Sequence, residues 1–425
     1  MHRPTQLPNG VGSAGRGLQP RRLIAARAVS HLPGLGQDGL RRANLSAMLS
    51  RVHLSGPTSR AALTAELGLN RSTIGALSAQ LESLHLVRSS VPAASDHTGR
   101  PSYVLTARDD VAVLAVSLDV EWLTVALVGL GGRIIDRRDR RHERGGHAVG
   151  AVVESVALLC EELLGGEDGV AVRCLGVGAS LPGVIRAQDG QVRFAPNLGW
   201  VDEPFTELLA TRLDRPVRLG NNADLGVLAE HLRGAAIGVR DVVYLSGGVG
   251  IGGGILVAGQ ALRGSGGYGG EVGHLPLDPV GGEQCRCGSR GCWETKIGEN
   301  QLLRAVGRLP GGGPEAVADV MARATAGDPV TRRAVADLAF WVGIGLGGIV
   351  NLCNPSVIVV NGVLAEVWQT FPELVTAALT GASLAAPRAQ MEVRVSGLGN
   401  DSSLIGAAEL AFEPLLANPA AYAVP

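Results

Sequence analysis

No apolar run in this 425-residue chain reaches membrane-spanning length without a glycine or a charge. Its first residues also lack the apolar core of a secretory leader. A membrane span and a signal peptide are therefore not expected, and the chain reads as soluble and cytoplasmic. Cysteine is scarce: there are six, with three bunched between residues 285 and 292, and Cys160, Cys174 and Cys353 dispersed in apolar stretches. That usage argues against a disulfide framework and predicts that the dispersed three are buried small hydrophobes. The net charge is only −1, which hides an uneven distribution. Residues 1–42 hold seven arginines against the single acid Asp38, with proline and glycine between them, a composition that predicts a disordered basic extension. With 46% hydrophobic residues, the rest can bury substantial cores in two or three folding units.

The chemistry is concentrated in one stretch. Ten residues separate His274 from Cys285, one separates Cys285 from Cys287, and four separate Cys287 from Cys292. An imidazole and three thiolates at this spacing form a complete tetrahedral zinc set, and four protein ligands leave no position for a catalytic water. The metal is read as structural. Arg286 and Arg290 stand where they can offset thiolate charge. Glu271 and Glu294 bracket the ligands, so closure around a metal would bring two acceptors beside His274 in a small polar pocket.

Residues 43–108 read as a winged helix-turn-helix. Ala43 to Leu54 suits a first helix, and Pro57-Thr58-Ser59 opens a second, Arg60 to Leu67, which Gly68 stops. Asn70 caps a third, in which Ile74, Leu77, Leu81 and Leu84 repeat at helical spacing, while Arg71, Ser72, Gly75, Ser78 and Gln80 take the other face. Leu86-Val87-Arg88 and Tyr103-Val104-Leu105 read as short strands around a loop from Pro92 to Pro101. A small helical linker domain would share this periodicity, but two features point to double-stranded DNA. Arg71, Ser72 and Thr73 set a guanidinium and two hydroxyls at a helix start, where phosphates and base edges meet. Gly99-Arg100-Pro101 holds Arg100 extended, suited to a narrow minor groove; His97 in the same loop is read as solvated.

From Val111 the texture changes to strands alternating with helices. Val111–Leu118, Thr124–Gly129 and Arg133–Arg137 read as strands, Ala148–Leu164 as a helix, Cys174–Ala179 as a strand, and Leu208–Leu213 and Leu225–Arg233 as helices. Asp241–Ser246 and Gly253–Ala258 then repeat the opening hairpin. Helices follow at Gln301–Val306, Pro314–Thr325 and Pro329–Leu352, then a strand at Val357–Val360 and a last helix at Ile405–Leu416. Two similar α/β lobes are expected, 109–235 completed by helix 405–416, and 236–404 carrying the zinc knuckle, with ligands in the cleft between them.

The knuckle behind Gly270-Glu271-Val272-Gly273-His274 is the first specific mark. The others are Leu181-Pro182-Gly183, Ala195-Pro196-Asn197-Leu198-Gly199-Trp200 and the ending Gly406-Ala407-Ala408. Together they resemble the ROK family of bacterial repressors, open reading frames and sugar kinases. The likeness runs from Ala43 to the C-terminal helix, and the winged helix in front resembles the repressor branch. It implies an actin-like, ribonuclease H-like fold with a sugar held between two lobes. The implied sugar contacts are Asn221, Asn222, Glu271, His274 and Glu294, with Gly183 and Asn197 as weaker ones, and His274, Cys285, Cys287 and Cys292 match the metal positions. Carboxylates and amides supply the acceptors and donors that hydroxyl groups need. His274 would hold zinc through one ring nitrogen and a sugar hydroxyl through the other, so the metal orients a binding side chain.

The departures from the kinase pattern decide the expected function. Kinase members resemble Glu-Asn-Asp-Ala-Asn where this chain has Gly220-Asn221-Asn222-Ala223-Asp224, so Asn222 replaces the expected general base, and Asp224 is expected to point elsewhere. The first phosphate loop, Asp-Ile-Gly-Gly-Thr in kinases, is Asp119-Val120-Glu121-Trp122-Leu123 here, which disfavours a polyphosphate. The second, Gly247 to Gly253, keeps its glycines but has Gly248 in place of threonine, and Val360-Asn361-Gly362 loses one glycine of a pair. The reading is therefore a sugar-responsive transcriptional repressor, not an enzyme. It would bind structural zinc, a double-stranded operator and a sugar or sugar-derivative effector, work as a homodimer or dimer of dimers, and use neither ATP nor a membrane. Its rivals are an ATP-dependent ROK sugar kinase with an appended DNA-binding unit, and a regulator that answers to a protein partner.

Overall fold

The computed structural model describes residues 36–91, 102–142, 145–165 and 172–423. The basic stretch 1–35 and the wing loop 92–101, with His97 and Arg100, lie outside the described residues.

The N-terminal unit comprises α1 (Gln37–Ser55), β1 (Thr58–Ser59), α2 (Arg60–Leu67), α3 (Arg71–Ser83), β2 (Val87–Ser90) and β3 (Val104–Ala107). Helix therefore begins at Gln37, inside the stretch expected to be disordered through residue 42. Leu45, Met48, Leu49 and Val52 repeat along one face of α1 and are all buried, the amphipathic spacing of a core-facing helix. Ser59 caps α2 by accepting the Ala62 N–H at 3.1 Å, and Asn70 caps α3 by accepting the Thr73 N–H at 2.8 Å. Ser78, expected on the polar face of α3, is instead fully buried, and its hydroxyl donates to the Ile74 carbonyl at 2.6 Å. The strands form a small antiparallel sheet in the order β1-β3-β2.

The first lobe starts only three residues later, with β4 (Val111–Leu118), β5 (Trp122–Gly129), β6 (Ile134–Arg141), α4 (Val149–Leu164) and β7 (Arg173–Leu181). A small sheet of β8 (Val184–Ile185), β9 (Val192–Ala195) and β10 (Trp200–Glu203) follows, then α5 (Phe205–Leu213), β11 (Val217–Asn221) and α6 (Asn222–Arg233). The second lobe comprises β12 (Val242–Gly247), β13 (Ile251–Val257), β14 (Gln260–Ala261), α7 (Glu294–Ile297), α8 (Glu299–Ala305), α9 (Gly313–Thr325) and α10 (Pro329–Cys353). After them come β15 (Val357–Gly362), α11 (Val363–Thr370), α12 (Pro372–Ala382), α13 (Ala385–Arg388) and β16 (Glu392–Val395). The chain then returns to the first lobe as α14 (Ser402–Ala417).

The two large sheets are duplicates. Their orders are β6-β5-β4-β7-β11 and β14-β13-β12-β15-β16, each with three antiparallel strands followed by two parallel additions. The Val-rich run of β4 is buried on both faces because helices cover both sides of the sheet. Ala112, Leu114 and Val116 pack in one core with Val152, Val156 and Cys160 of α4, while Val111, Val113 and Ala115 pack in another with Leu404, Ala407 and Phe412 of α14. Gly406 lets α14 lie directly on α6, since a Cβ there would stand 2.0 Å from the Leu225 carbonyl oxygen. The core around α14 also contains Leu45, Met48, Leu49, Val52 and Leu81 of the N-terminal unit. That unit and the first lobe thus share one core.

Helix α10 has the length and apolar content of a membrane span. In this fold it is the central helix of the second lobe, with Leu338, Val342, Leu346 and Val350 buried against α9, α11 and α12. The dispersed cysteines divide: Cys160 is buried, but Cys174 and Cys353 are only half-buried.

Candidate functional site

A cavity of about 300 Å³ lies between the lobes. All seven residues expected to meet a sugar border it: Gly183, Asn197, Asn221 and Asn222 from the first lobe, and Glu271, His274 and Glu294 from the second. They are brought together by the C-terminal ends of β7 and β11 on one side and by the segment between β14 and α7 on the other, where ligands collect in sheets of this kind.

Asn221 and Asn222 serve differently. Asn221 caps α6: its Oδ1 accepts the Ala223 N–H at 2.7 Å, and its Nδ2 donates to the Gly183 carbonyl at 2.8 Å. Gly183 stands with φ 151° where a Cβ would fall 2.6 Å from the Phe194 carbonyl oxygen, so the β7–β8 turn requires glycine there. Asn222 is the first residue of α6. Its Nδ2 donates weakly to the Leu118 carbonyl at 3.5 Å, and its Oδ1 is buried with no hydrogen-bond partner among the described residues.

The second lobe supplies the metal-ligand set. His274 closes a single helical turn at Val272–His274. Cys285 starts a tight turn in which its N–H donates to the Ser289 carbonyl at 2.8 Å, and isolated bridges pair Pro276 with Cys292 and Gln284 with Arg290. The Nδ1 of His274 and the three sulfurs all lie within 4.8 Å of one another, with Cys287 Sγ 3.6 Å from Cys292 Sγ and Cys285 Sγ 3.6 Å from His274 Nδ1. Zn–S bonds of about 2.3 Å in a tetrahedron put sulfurs about 3.8 Å apart, so the donor set fits zinc. Burial alone would raise the Cys287 thiol, but the Ser289 backbone N–H and the adjacent thiols bring it down to about 7, favouring the thiolate that a metal needs. Nδ1 faces the sulfurs, and Nε2 is turned toward Glu271, 3.9 Å from its carboxylate.

Glu294 bridges knuckle and cleft. Its Oε1 accepts the Cys285 thiol proton at 3.0 Å and lies 3.6 Å from His274 Nδ1, and its Oε2 faces the Ile251 N–H at 3.5 Å. Glu271 keeps 41% of its side chain accessible because it stands on the cleft wall. The protein packed around it nonetheless raises its pKa, opposed by His274 and reinforced by Glu294. Lys296, the sole lysine of the chain, ties the knuckle to α10: its Nζ is 2.8 Å from Asp278 and 4.9 Å from the centre of the Trp341 ring.

Three features differ from expectation or were not foreseen. Arg286 and Arg290 do not face the thiolates: Arg286 reaches across the cleft to donate to Asn197 Oδ1, and Arg290 donates to the Gly282 carbonyl at 2.8 Å. Asp224 stays out of the main cavity, as expected, but it borders a second chamber, of about 20 Å³, that shares Gly183, Asn221 and Glu271 with the main one. Arg304, Gln301 and Asn300 of α8 also line the main cavity, and no motif announced them.

The segment that takes the place of the kinase phosphate loop is a tight turn. The β4–β5 connection is a hairpin closed on itself: the Asp119 N–H donates to the Trp122 carbonyl at 2.8 Å, and pairing continues through Leu118 and Leu123. The His142 N–H donates to the Glu121 carbonyl at 2.9 Å, covering this hairpin from β6, and Trp122 is half-exposed beside it. These are not the open backbone donors of a phosphate cradle.

At the other end of the molecule, the start of α3 is exposed. Arg71 makes no ion pair or side-chain hydrogen bond with any described residue, Ser72 donates to the Asn70 cap at 2.7 Å, and Thr73 is half-buried.

The ROK family profile matches residues 113–413. A xylose repressor of Caldicellulosiruptor bescii is 26% identical over 377 residues, covering 85% of this chain and 93% of the repressor. A glucokinase of Streptomyces coelicolor is 32% identical over 284 residues, covering 62% of this chain and 87% of the kinase. Among solved structures, a ROK family transcriptional regulator homologous to the E. coli MLC protein superposes with a TM-score of 0.72 at 24% identity, covering 89% of this chain and 97% of that one. A ROK glucokinase of Streptomyces griseus in complex with glucose and AMPPNP gives 0.62 at 26% identity, covering 71% and 99%.

Proposed function

The chain belongs to the ROK family, and on that premise we propose that it is a DNA-binding transcriptional repressor whose cleft senses a sugar without phosphorylating it. The observation that carries this reading is Asn222. Its buried, unpartnered Oδ1 stands where kinase relatives carry a base, and an acceptor left open in this way costs about 1–3 kcal/mol. A sugar hydroxyl donating to it recovers that cost. An amide binds the hydroxyl but cannot take its proton, so recognition persists without transfer.

Asn222, Glu271, His274 and Glu294 hold the sugar, with Asn221, Gly183 and Asn197 completing the wall. His274, Cys285, Cys287 and Cys292 hold structural zinc, which keeps the His274 Nε2 aimed at the cleft. Arg71, Ser72 and Thr73 approach the major groove from the start of α3, and Arg100 is the minor-groove contact expected from the sequence. The coverage of the xylose repressor, which extends over most of the chain, supports a regulator that keeps its DNA-binding unit. Two such units on a two-fold operator make the working species a homodimer or a dimer of dimers, located in the cytoplasm.

The test is selection of operator fragments by the purified protein at one fixed salt concentration, with and without a panel of monosaccharides. Recovery of one palindromic site, shifted by one sugar, is expected. Sugar that binds and leaves operator affinity unchanged sinks the reading. The identity to the S. coelicolor glucokinase favours a second reading, an ATP-dependent sugar kinase, and steady ADP release that depends on a hexose would establish it.

A further inference from the structure

The chamber beside the sugar end of the cleft is small and charged. Its volume of about 20 Å³ holds one water-sized group. Two carboxylates border it from opposite lobes: Asp224, the third residue of α6, and Glu271, from the turn before the zinc knuckle. Tyr268, Asn221, Val184, Ile185 and glycine backbone complete the wall.

No hydrogen-bond donor among the described residues reaches the Asp224 carboxylate. Burial pushes its pKa up to about 7, opposed by Arg263 and reinforced by Glu271. Arg263 is an exposed residue, and its attraction does not offset that burial. The main cavity alongside adds Asp119, Glu283 and Glu294 with the cations Arg286 and Arg304, none of which borders the chamber itself. Arg286 donates to Asn197 and Arg304 lies 3.9 Å from Glu283, both partners standing on the wall of the main cavity and away from the chamber. Asp224 and Glu271 are thus the acidic groups on the chamber's own wall, with no basic side chain among the described residues beside them there, and a group that fits the chamber and balances them is an ammonium.

We propose that Asp224 sets the charge of the effector: with Glu271 it selects a sugar bearing a protonated amine over the neutral parent sugar, and refuses sugar acids and sugar phosphates. This rests on the sugar-sensing reading above. A charge-assisted hydrogen bond in a partly enclosed chamber is worth about a tenfold gain in affinity over its neutral counterpart, whereas a second anion between two carboxylates is repelled.

The experiment is calorimetry on the full, zinc-loaded chain at pH 7 and constant ionic strength. The probes are D-glucosamine, D-galactosamine and D-mannosamine, each beside its parent hexose, with glucose 6-phosphate as the anionic member. At least one amino sugar is expected to bind about tenfold or more tightly than its parent, and glucose 6-phosphate more weakly than glucose. In Asp224→Asn, checked for folding by its melting curve, the ratio of amino sugar to parent affinity falls to about one. Equal binding of every amino sugar and its parent by the wild type overturns the proposal and leaves sugar sensing standing, and so does a preference that survives in Asp224→Asn. Should the variant not fold, the wild-type ratios decide alone. Absence of binding by every sugar overturns the sugar-sensing reading, and this inference with it.

Discussion

At the scale of single residues, the cleft departs from the kinase pattern most consequentially at Asn222 and in the Asp119–Leu123 hairpin. The amide of Asn222 faces the cavity where a carboxylate would accept a proton, and restoring that carboxylate is the simplest test of how much machinery remains. Asn222→Asp is expected to show no ADP release above background with hexoses, because the Asp119–Trp122 hairpin still bonds to itself and offers no phosphate cradle. A coupled assay reads this directly, and robust turnover in the variant would mean that the hairpin opens for nucleotide. The proposed sugar contacts that border the cavity were legible in the sequence: the knuckle and its bracketing carboxylates single out Glu271, His274 and Glu294, and the resemblance to the ROK family adds Gly183, Asn197, Asn221 and Asn222. Asp224 and Arg286 were not. Helical spacing shows which way Asp224 leaves α6 but not that the Tyr268–Glu271 turn of the other lobe comes to meet it. Arg286 could serve thiolates or a distant amide with equal plausibility until the lobes are placed.

At the scale of elements, three helices meet over one buried charge. Glu409 of α14 is 4% exposed; it lies 2.9 Å from His53 Nε2 of α1 and accepts from Arg233 Nε of α6 at 2.6 Å. Burial alone would raise its pKa, but His53 and Arg233 together outweigh burial and hold it at about 2. A carboxyl depressed in the folded state contributes stability that is fully present above its unfolded pKa, about 4.3, and is lost as pH falls through the folded value. Urea midpoints are therefore expected to drop steeply between about pH 5 and pH 2. Glu409→Gln is expected to cost about 3 kcal/mol at pH 7 and to flatten that acid limb, and a variant curve parallel to wild type would assign the acid loss elsewhere. The elements themselves were read unevenly. Helix α2 and strand β4 fall where spacing placed them, because a cap and a continuous apolar run are strong local signals. Strands β8 to β10, β11 and β16 were missed, since short, half-polar segments such as Glu392–Val395 become strands only by pairing with a distant neighbour.

At the scale of the whole molecule, sequence texture suggested a DNA-binding unit joined to a sensor by a boundary near residue 108, and the structure joins them through a common core. Met48 and Leu49 of α1 pack in the same cluster as Phe412 and Leu415 of α14, which no local pattern could reveal because the partners lie over 350 residues apart in sequence. Helix α6 spans the same distance in space. It begins at Asn222 in the cleft and ends, about 18 Å away by helical rise, at Arg233 beside His53. In its last turn, the buried carboxylate of Glu230 accepts the Gly397 and Leu398 N–H groups, both at 3.1 Å. It thereby holds the crossover through which the chain leaves the second lobe for α14. On the proposed function, a ligand that draws the lobes together would act on both ends of this helix, and the contact with α1 would carry the change to the N-terminal unit. His53→Asn tests this, because it weakens the α1 contact while leaving Arg233 and Glu409 paired. The variant is expected to bind effector in calorimetry as wild type does. The effector-induced change in its operator affinity, measured by fluorescence anisotropy at fixed salt, should shrink at least about fivefold, the lower end of common allosteric couplings. An undiminished change would place the coupling outside the α6–α1 contact, in how the two protomers of the assembly turn against each other.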